Sequence, residues 1–343
     1  MRQRKWTLLL VITTTVAVIC ASCAAPVSQP AEAPAPAAEP TESAAAPAAP
    51  PPGNALLLTL VGHTAAVDGL AVSQDGQLIA SASGGDGSVR VWGPDGTLLH
   101  TFAGLPPGNS RLALSPDGSL LAVGMAETVW LWRLPDGQQL QRLSVGIGQP
   151  VTGVAFAPDG LSLVTTWGDG WVRLWRVPEG ELADSFDAGA VGRGTALSGD
   201  GKVAAVATTD GMALVWRLAD KSRLSALQGH TGAMTSLAFS PGGELLAAGE
   251  DDGDVRLWQT SDGALLATLT GHTGAVNCIE FNAAGDKLFS GGQDGVLRTW
   301  RVADGTLDGS LALGDEIGAL SLSREGHQAA VGVGDNVQVW SLE

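Results

Sequence analysis

Cysteine, histidine and basic side chains are all scarce in this chain of 343 residues, and each scarcity removes a class of function. Three cysteines occur, Cys20, Cys23 and Cys278, and two of them fall at the end of an N-terminal leader. One is left for the folded body, so a disulfide framework is excluded there. Cys278 lies in an apolar strand-like run and reads as a small core residue rather than a reactive thiol. Of five histidines, three stand in Gly-His pairs, while His100 lies in a strand run and His327 beside a turn. That spacing builds no zinc cluster. Lysine and arginine number 19 against 35 aspartates and glutamates, a net charge of −16 with no lysine-rich or aromatic-basic stretch. Such a surface repels phosphate backbones, which argues against DNA or RNA as a partner. No glycine loop is placed before a helix to cradle a phosphate. No cofactor is expected.

The leader, residues 1–23, has Arg2, Arg4 and Lys5 ahead of an uncharged apolar run from Trp6 to Ile19, then small residues. This is the pattern of a secretory signal. Its 14-residue run is short of the roughly 20 a spanning helix needs. Cys20-Ala21-Ser22-Cys23 resembles a bacterial lipoprotein lipobox, with Cys20 where an aliphatic residue is usual. The resemblance implies cleavage before Cys23, acylation of Cys23 and an extracytoplasmic protein tethered to a bacterial membrane of the cell envelope. Several acyl chains make such anchoring stable, where one alone holds only marginally. An ordinary cleaved signal and an uncleaved anchor are the competing readings. Loss of the three leader charges would leave the mature chain at about −19.

Residues 24–53 are almost all alanine and proline, with nine prolines among 30 residues and Glu32, Glu39 and Glu42 as the only charges. No helix, strand or core survives that composition. Extended polyproline geometry at about 3.1 Å per residue would make it a spacer up to roughly 90 Å long.

From residue 54 onward the chain repeats itself. Seven stretches end in Trp92, Trp132, Trp175, Trp216, Trp258, Trp300 and Trp340, spaced 40, 43, 41, 42, 42 and 40 residues apart. Internal similarity at that period overrides the two domains that length alone would suggest, and marks a propeller. A first turn recurs in each unit: SQDG (73–76), SPDG (115–118), APDG (157–160), SGDG (198–201), SPGG (240–243), NAAG (282–285) and SREG (323–326). Glycine there supplies the positive φ of a hairpin reversal. A second turn follows six of the tryptophans and leads into a fourth strand, with LADKS (218–222) the least regular. The seventh unit lacks both, because the chain stops three residues after Trp340. Residues 55–60, ALLLTL, closely copy the fourth strand ALLATL at 264–269. The first strand of the domain is therefore expected to complete the last blade and remove two exposed edges.

On these residues the chain from 54 to 343 resembles a WD-repeat β-propeller: all-β, seven-bladed and monomeric. Gly-His occurs at Gly62-His63, Gly229-His230 and Gly271-His272, and Asp-Gly six residues before tryptophan at Asp86, Asp169, Asp210, Asp252 and Asp294. The aspartate that usually follows the closing tryptophan is replaced here, as in Trp132-Arg133. His272, Ser290 and Asp294 invite a catalytic Ser-His-Asp reading. The resemblance implies instead a hydrogen-bonded chain with Trp300 that ties the entering loop to the blade. His63, Ser81, Asp86 and Trp92 form the same set, and His230, Asp252 and Trp258 a partial one with Ala248 in place of the hydroxyl. A catalytic device would not be copied in partial form around a ring, so catalytic residues are expected to be none. The acidic run Glu250–Asp254 lacks the ligand periodicity of a calcium loop and reads as a solvated turn.

Three further tryptophans lie outside the repeat pattern. Trp130 and Trp171 read as packing residues. Trp167 reads either as packing or as a partner anchor on the narrow top face, where aromatics are common binding elements. The resemblance also implies that Asp68, Thr152, Thr235 and Asn277 ring the top opening with Trp167 and Asp251. The function expected is a non-enzymatic scaffold that binds protein or peptide on that face, tethered by an N-terminal lipid. The alternatives are a ligand-binding or enzymatic propeller using the central channel, or a factor in envelope assembly.

Overall fold

The computed structural model describes residues 54–342 apart from 147, 190–191, 209–210 and 324–327. The leader with Cys23, the Ala/Pro segment, Asp210, His327 and the rest of the SREG turn after Ser323 lie outside the described residues. All regular elements among the described residues are strands, arranged as seven four-stranded antiparallel sheets. Six are formed by consecutive strands: blades 1 to 6 span Gly69–Ala103, Arg111–Leu143, Val151–Asp187, Gly192–Leu227, Met234–Leu269 and Val276–Ala312. Within each blade the first strand is innermost. Blade 7 takes Ile317–Leu322, Gln328–Val333 and Asn336–Ser341 from the end of the chain and its outer strand, Ala55–Leu60, from the beginning.

The burial pattern explains the strand sequences. Second strands such as Ile79–Ser83 and Leu120–Met125 are buried on both faces, because each blade stacks between two others. They accordingly read as near-continuous runs of small and branched residues. Outer strands such as Leu98–Ala103 alternate between exposed and half-buried positions, as one wet edge requires. The core is thus a series of apolar layers between blades. Cys278, Phe289 and Leu297 of blade 6 meet Ile317, Val331 and Trp340 of blade 7, and Leu60, Val337 and Val339 meet Ile79 and Trp92 across the closing seam. Burial pushes the Cys278 thiol up to about 12, so it is a packing residue.

Two irregularities recur. Every closing tryptophan sits at a register shift against the fourth strand, from Val91/Trp92 in blade 1 to Leu56/Leu58 opposite Trp340. Blades 3 to 7 carry a second bulge near the start of the first strand, at Thr152, residue 193, Thr235, Asn277 and Gly318. Bulges re-aim a side chain and sharpen the twist, and Thr152, Thr235 and Asn277 line the channel. The first turns are closed by side chains as well as glycine. Ser73 Oγ donates to Asp75 Oδ1 at 2.6 Å while accepting from Leu78 N at 2.9 Å, and Ser115–Asp117 and Ser198–Asp200 repeat the arrangement. In the irregular second turn of blade 4, Lys221 takes the left-handed conformation that glycine holds elsewhere, at φ 57°.

The ring closes where blade 7 meets blade 1. Val67 N donates to Gly334 O at 2.8 Å and Val72 N to Ser321 Oγ at 3.1 Å. A Cβ on Gly318 would lie 2.4 Å from Val67 O, so this bulge position admits no side chain. One blade earlier, the half-buried Glu280 receives Leu322 N at 3.1 Å, and burial pushes its carboxyl up to about 8. An unfolded glutamate titrates near 4.3. Between these values the folded state binds more protons, so stability falls as pH rises from about 4.3 to 8. Glu280→Gln, which keeps an acceptor for Leu322 N, should therefore match the wild-type melting temperature at pH 4.5 and exceed it at pH 8.5 in a thermal unfolding series.

Candidate functional site

The first-strand bulges converge on a cavity of about 910 Å³ at the end of the channel where the blade-entering loops gather. Its lining includes Asp68, Arg111, Thr152, Thr235, Asn277, Asp315, Glu316 and Asp335. A narrower space of about 220 Å³ continues below it and shares Asp68, Arg111, Thr152, Thr235 and Asn277. The strands hold these groups firmly. Thr152 Oγ1 donates to Thr166 Oγ1 at 3.0 Å, and Thr235 Oγ1 donates to Gly249 O at 2.8 Å. Asn277 Nδ2 donates to Glu316 Oε1 at 2.8 Å and to Ile317 O at 3.0 Å. Asp68 accepts the Gly84 amide at 3.2 Å on both oxygens, and burial raises its carboxyl above the usual range. Gly84 itself is crowded: a Cβ there would fall 1.7 Å from Gly108 O.

Two expected members of this ring are elsewhere. Asp251 is exposed on the same side but outside the cavity lining, where its Oδ1 accepts Ala233 N at 2.8 Å. Trp167 is 0% exposed and belongs to the layer between blades 2 and 3, so it offers no surface to a partner. Its place has a local reason. Blade 3 lacks a Gly-His pair, and Trp167 supplies the missing ring: Trp167 Nε1 and Trp175 Nε1 both donate to Thr165 Oγ1 at 2.8 Å. Trp130 packs against Trp132 in the layer between blades 1 and 2. Trp171, expected to pack, is instead 38% exposed, with the Arg173 guanidinium 5.8 Å from its ring centre and ion-paired to Asp169.

The His-Ser-Asp sets stand away from the cavity, inside the blades. Ser81 Oγ accepts Trp92 Nε1 at 2.9 Å and donates to His63 Nε2 at 2.9 Å, while His63 Nδ1 donates to Asp86 at 2.9 Å. In blade 6 Ser290 links Trp300 and His272 at 2.8 Å each, and His272 reaches Asp294 at 3.0 Å. A serine that already accepts the indole N–H and gives its proton to a buried imidazole has no free face for a substrate. Burial lowers the pKa of both histidines, and Asp86 is held at about 2, its hydrogen bonds outweighing its burial.

Blade 5 departs from the expected set. His230 Nδ1 bonds Glu250 rather than Asp252; Asp252 is taken by Thr231, and Trp258 Nε1 donates to Gln228 O at 3.0 Å. Glu250 is 0% exposed and paired with Arg256, so the acidic run is not a wholly solvated turn. With Ala248 at the hydroxyl position, His230 Nε2 is buried with no hydrogen-bond partner. Blades 4 and 7 depart further. The Trp216 indole nitrogen is likewise buried without a partner, and Trp340 Nε1 donates to Gln338 Oε1 at 3.0 Å.

These contrasts define a matched test. Ser290→Ala strands two buried groups and should cost about 1–3 kcal/mol in urea unfolding, whereas Ala248→Ser gives His230 Nε2 a partner and should gain up to about 1 kcal/mol. The histidines fix a pH sign. Their folded pKa values lie below the unfolded value near 6.5, so the stability they carry is present above 6.5 and is lost as pH falls below it. His63→Gln and His272→Gln should each flatten the decline of melting temperature between pH 6.5 and 5.

Comparison with known proteins agrees with this geometry. The WD domain, G-beta repeat, matches residues 54–93, 221–259 and 263–301, and the anaphase-promoting complex subunit 4 WD40 domain matches 111–193. An uncharacterized WD repeat-containing protein of Synechocystis is 43% identical over 67 residues, 19% of either chain. The small ribosomal subunit protein RACK1 of Caenorhabditis elegans is 30% identical over 139 residues, 36% of this chain and 41% of that protein. The human angio-associated migratory cell protein is 27% identical over 186 residues, 53% and 42%. The matched stretches thus span less than half the length of each of these relatives. Repeat matches, blade topology and the Trp-Ser-His-Asp chains converge on one architecture: the chain folds as a seven-bladed β-propeller of WD repeats.

Proposed function

We propose that this protein is a non-enzymatic interaction scaffold that receives a protein or peptide partner at the channel mouth. The observation that carries the reading is the 910 Å³ cavity itself, built from side chains that bulged strands and inter-blade hydrogen bonds hold in place. A pre-formed concave site costs little ordering on binding. The Ser-His-Asp sets in blades 1 and 6 are spent on structure, which favours binding over turnover. Similarity to the small ribosomal subunit protein RACK1, by its name part of a larger assembly, supports the reading.

We further propose that the propeller works outside the cytoplasm on a lipid tether at Cys23, followed by the Ala/Pro spacer. The support is the sequence alone: three basic residues, a short apolar run and a lipobox-like end. Two experiments test the reading. A photo-crosslinking residue placed at Asp315, in the mouth, should capture discrete envelope proteins in intact cells, while the same residue at Asp159, in a first turn, should not. Equal capture at both positions would sink the mouth as the binding face. Cys23→Ser should shift the protein from the high-salt-washed membrane pellet to the soluble fraction, and retention in the pellet would remove the lipid anchor from the account.

A further inference from the structure

The mouth is electrically polarised in a way that constrains its ligand. Arg111, at the start of blade 2, reaches across the channel wall, where its Nε donates to Thr152 O at 3.1 Å and its Nη1 to Ser110 O at 3.1 Å. Its Nη2 makes no hydrogen bond to the described residues, and no carboxylate of theirs lies within ion-pair distance of the guanidinium. Arg111 lines both the wide cavity and the narrow space beneath it. Asp68 attracts it at longer range while also receiving the Gly84 amide. Burial lowers the Arg111 pKa and raises that of Asp68, and the attraction between the two offsets these shifts only in part.

The other charged residues described in the cavity lining have the opposite sign. Asp315, Glu316 and Asp335 line the cavity on the blade 7 side, and none of the three is paired with a cation among the described residues. A small free anion drawn to Arg111 would have to pass these carboxylates, on a chain whose net charge is already −16. A purely cationic ligand would leave the guanidinium buried and unmatched. The ligand that satisfies both carries both charges, separated along its length. Carboxylates are the natural partner of the planar guanidinium fork.

Resting on the mouth as the binding site, we propose that it takes a short peptide segment whose carboxylate, from an acidic side chain or a C-terminus, seats on Arg111 while a nearby lysine or arginine faces Asp315, Glu316 and Asp335. The Arg111 end fixes register and the acidic lip excludes uncompensated anions.

The test is selection of a displayed random hexapeptide library on the purified full chain, followed by anisotropy titration of synthetic winners. Enriched sequences should pair Asp, Glu or a free C-terminus with Lys or Arg within a few residues. Replacing the peptide's acidic residue by its amide, or amidating its C-terminus, should weaken binding at least tenfold, and which of the two does so identifies the carboxylate's source. Arg111→Met should give the same loss and abolish the preference, while Arg111→Lys should recover part of it. Since Arg111 also ties Ser110 to Thr152, the peptide substitutions carry the test even where Arg111→Met fails to fold. The Asp315→Asn, Asp335→Asn double variant should weaken the charged peptide and spare one lacking its basic residue. Winners that compete for the mouth yet lack a carboxylate, or that bind Arg111→Met as tightly as wild type, would overturn this inference and leave the mouth reading standing. Winners that bind only outside the mouth, or the absence of any winner, would overturn both.

Discussion

A blade of this protein cannot stand alone. Its inner strands are buried on both faces, so each sheet is stable only between two others, and the first and last blades find their second neighbour only if the ring closes. Everything else follows from meeting that demand without a covalent clasp. Cys278 is the one cysteine in the propeller, and it is packed away. Closure is achieved by strand exchange, with Ala55–Leu60 on Asn336–Ser341, and by the seam at Val67, Val72, Gly318 and Ser321. Burying the backbone edge of the last blade and an apolar layer together makes the two chain ends interdependent.

Within the blades, the same structural task is met by different chemistry. The indole N–H of the closing tryptophan finds no partner in blade 4 but an acceptor in five other blades. It finds serine backed by histidine and aspartate in blades 1 and 6, threonine shared with Trp167 in blade 3, a backbone carbonyl in blade 5 and a glutamine in blade 7. The substitutions are tolerated because the apolar layers between blades, and not any single polar chain, hold the ring. The channel mouth is the opposite case. There the side chains are positioned by bulges and spent hydrogen bonds, and the charge they leave uncompensated is available to a ligand.

The architecture was legible in the sequence because it is periodic: tryptophans about 41 residues apart, a glycine turn in each unit, and a copy of the missing fourth strand at the other end of the domain. What failed to show was substitution within the pattern. Trp167 reads equally as packing or as a partner anchor because nothing local says that a tryptophan can stand in for the absent histidine of its own blade. Glu250 looked like part of a wet acidic turn, since its pairing with His230 and Arg256 depends on Ala248 having vacated the hydroxyl position. Trp171 was expected inside and sits half out, held against Arg173. Arg111 gave no signal at all. Its importance comes from the Thr152 carbonyl 41 residues away and from carboxylates of blade 7, neither of which a local motif records.

The central claim is that the exchanged strand makes the ring one cooperative unit. Native-state amide hydrogen exchange measures this directly. Amides that link Ala55–Leu60 to Asn336–Ser341 should exchange with the same opening free energy, and the same denaturant dependence, as those of the fully buried second strands in blades 2 and 3. If residues 55–60 instead open at far lower free energy while the second strands of blades 1 and 7 keep full protection, closure does not depend on the exchanged strand and the account is wrong.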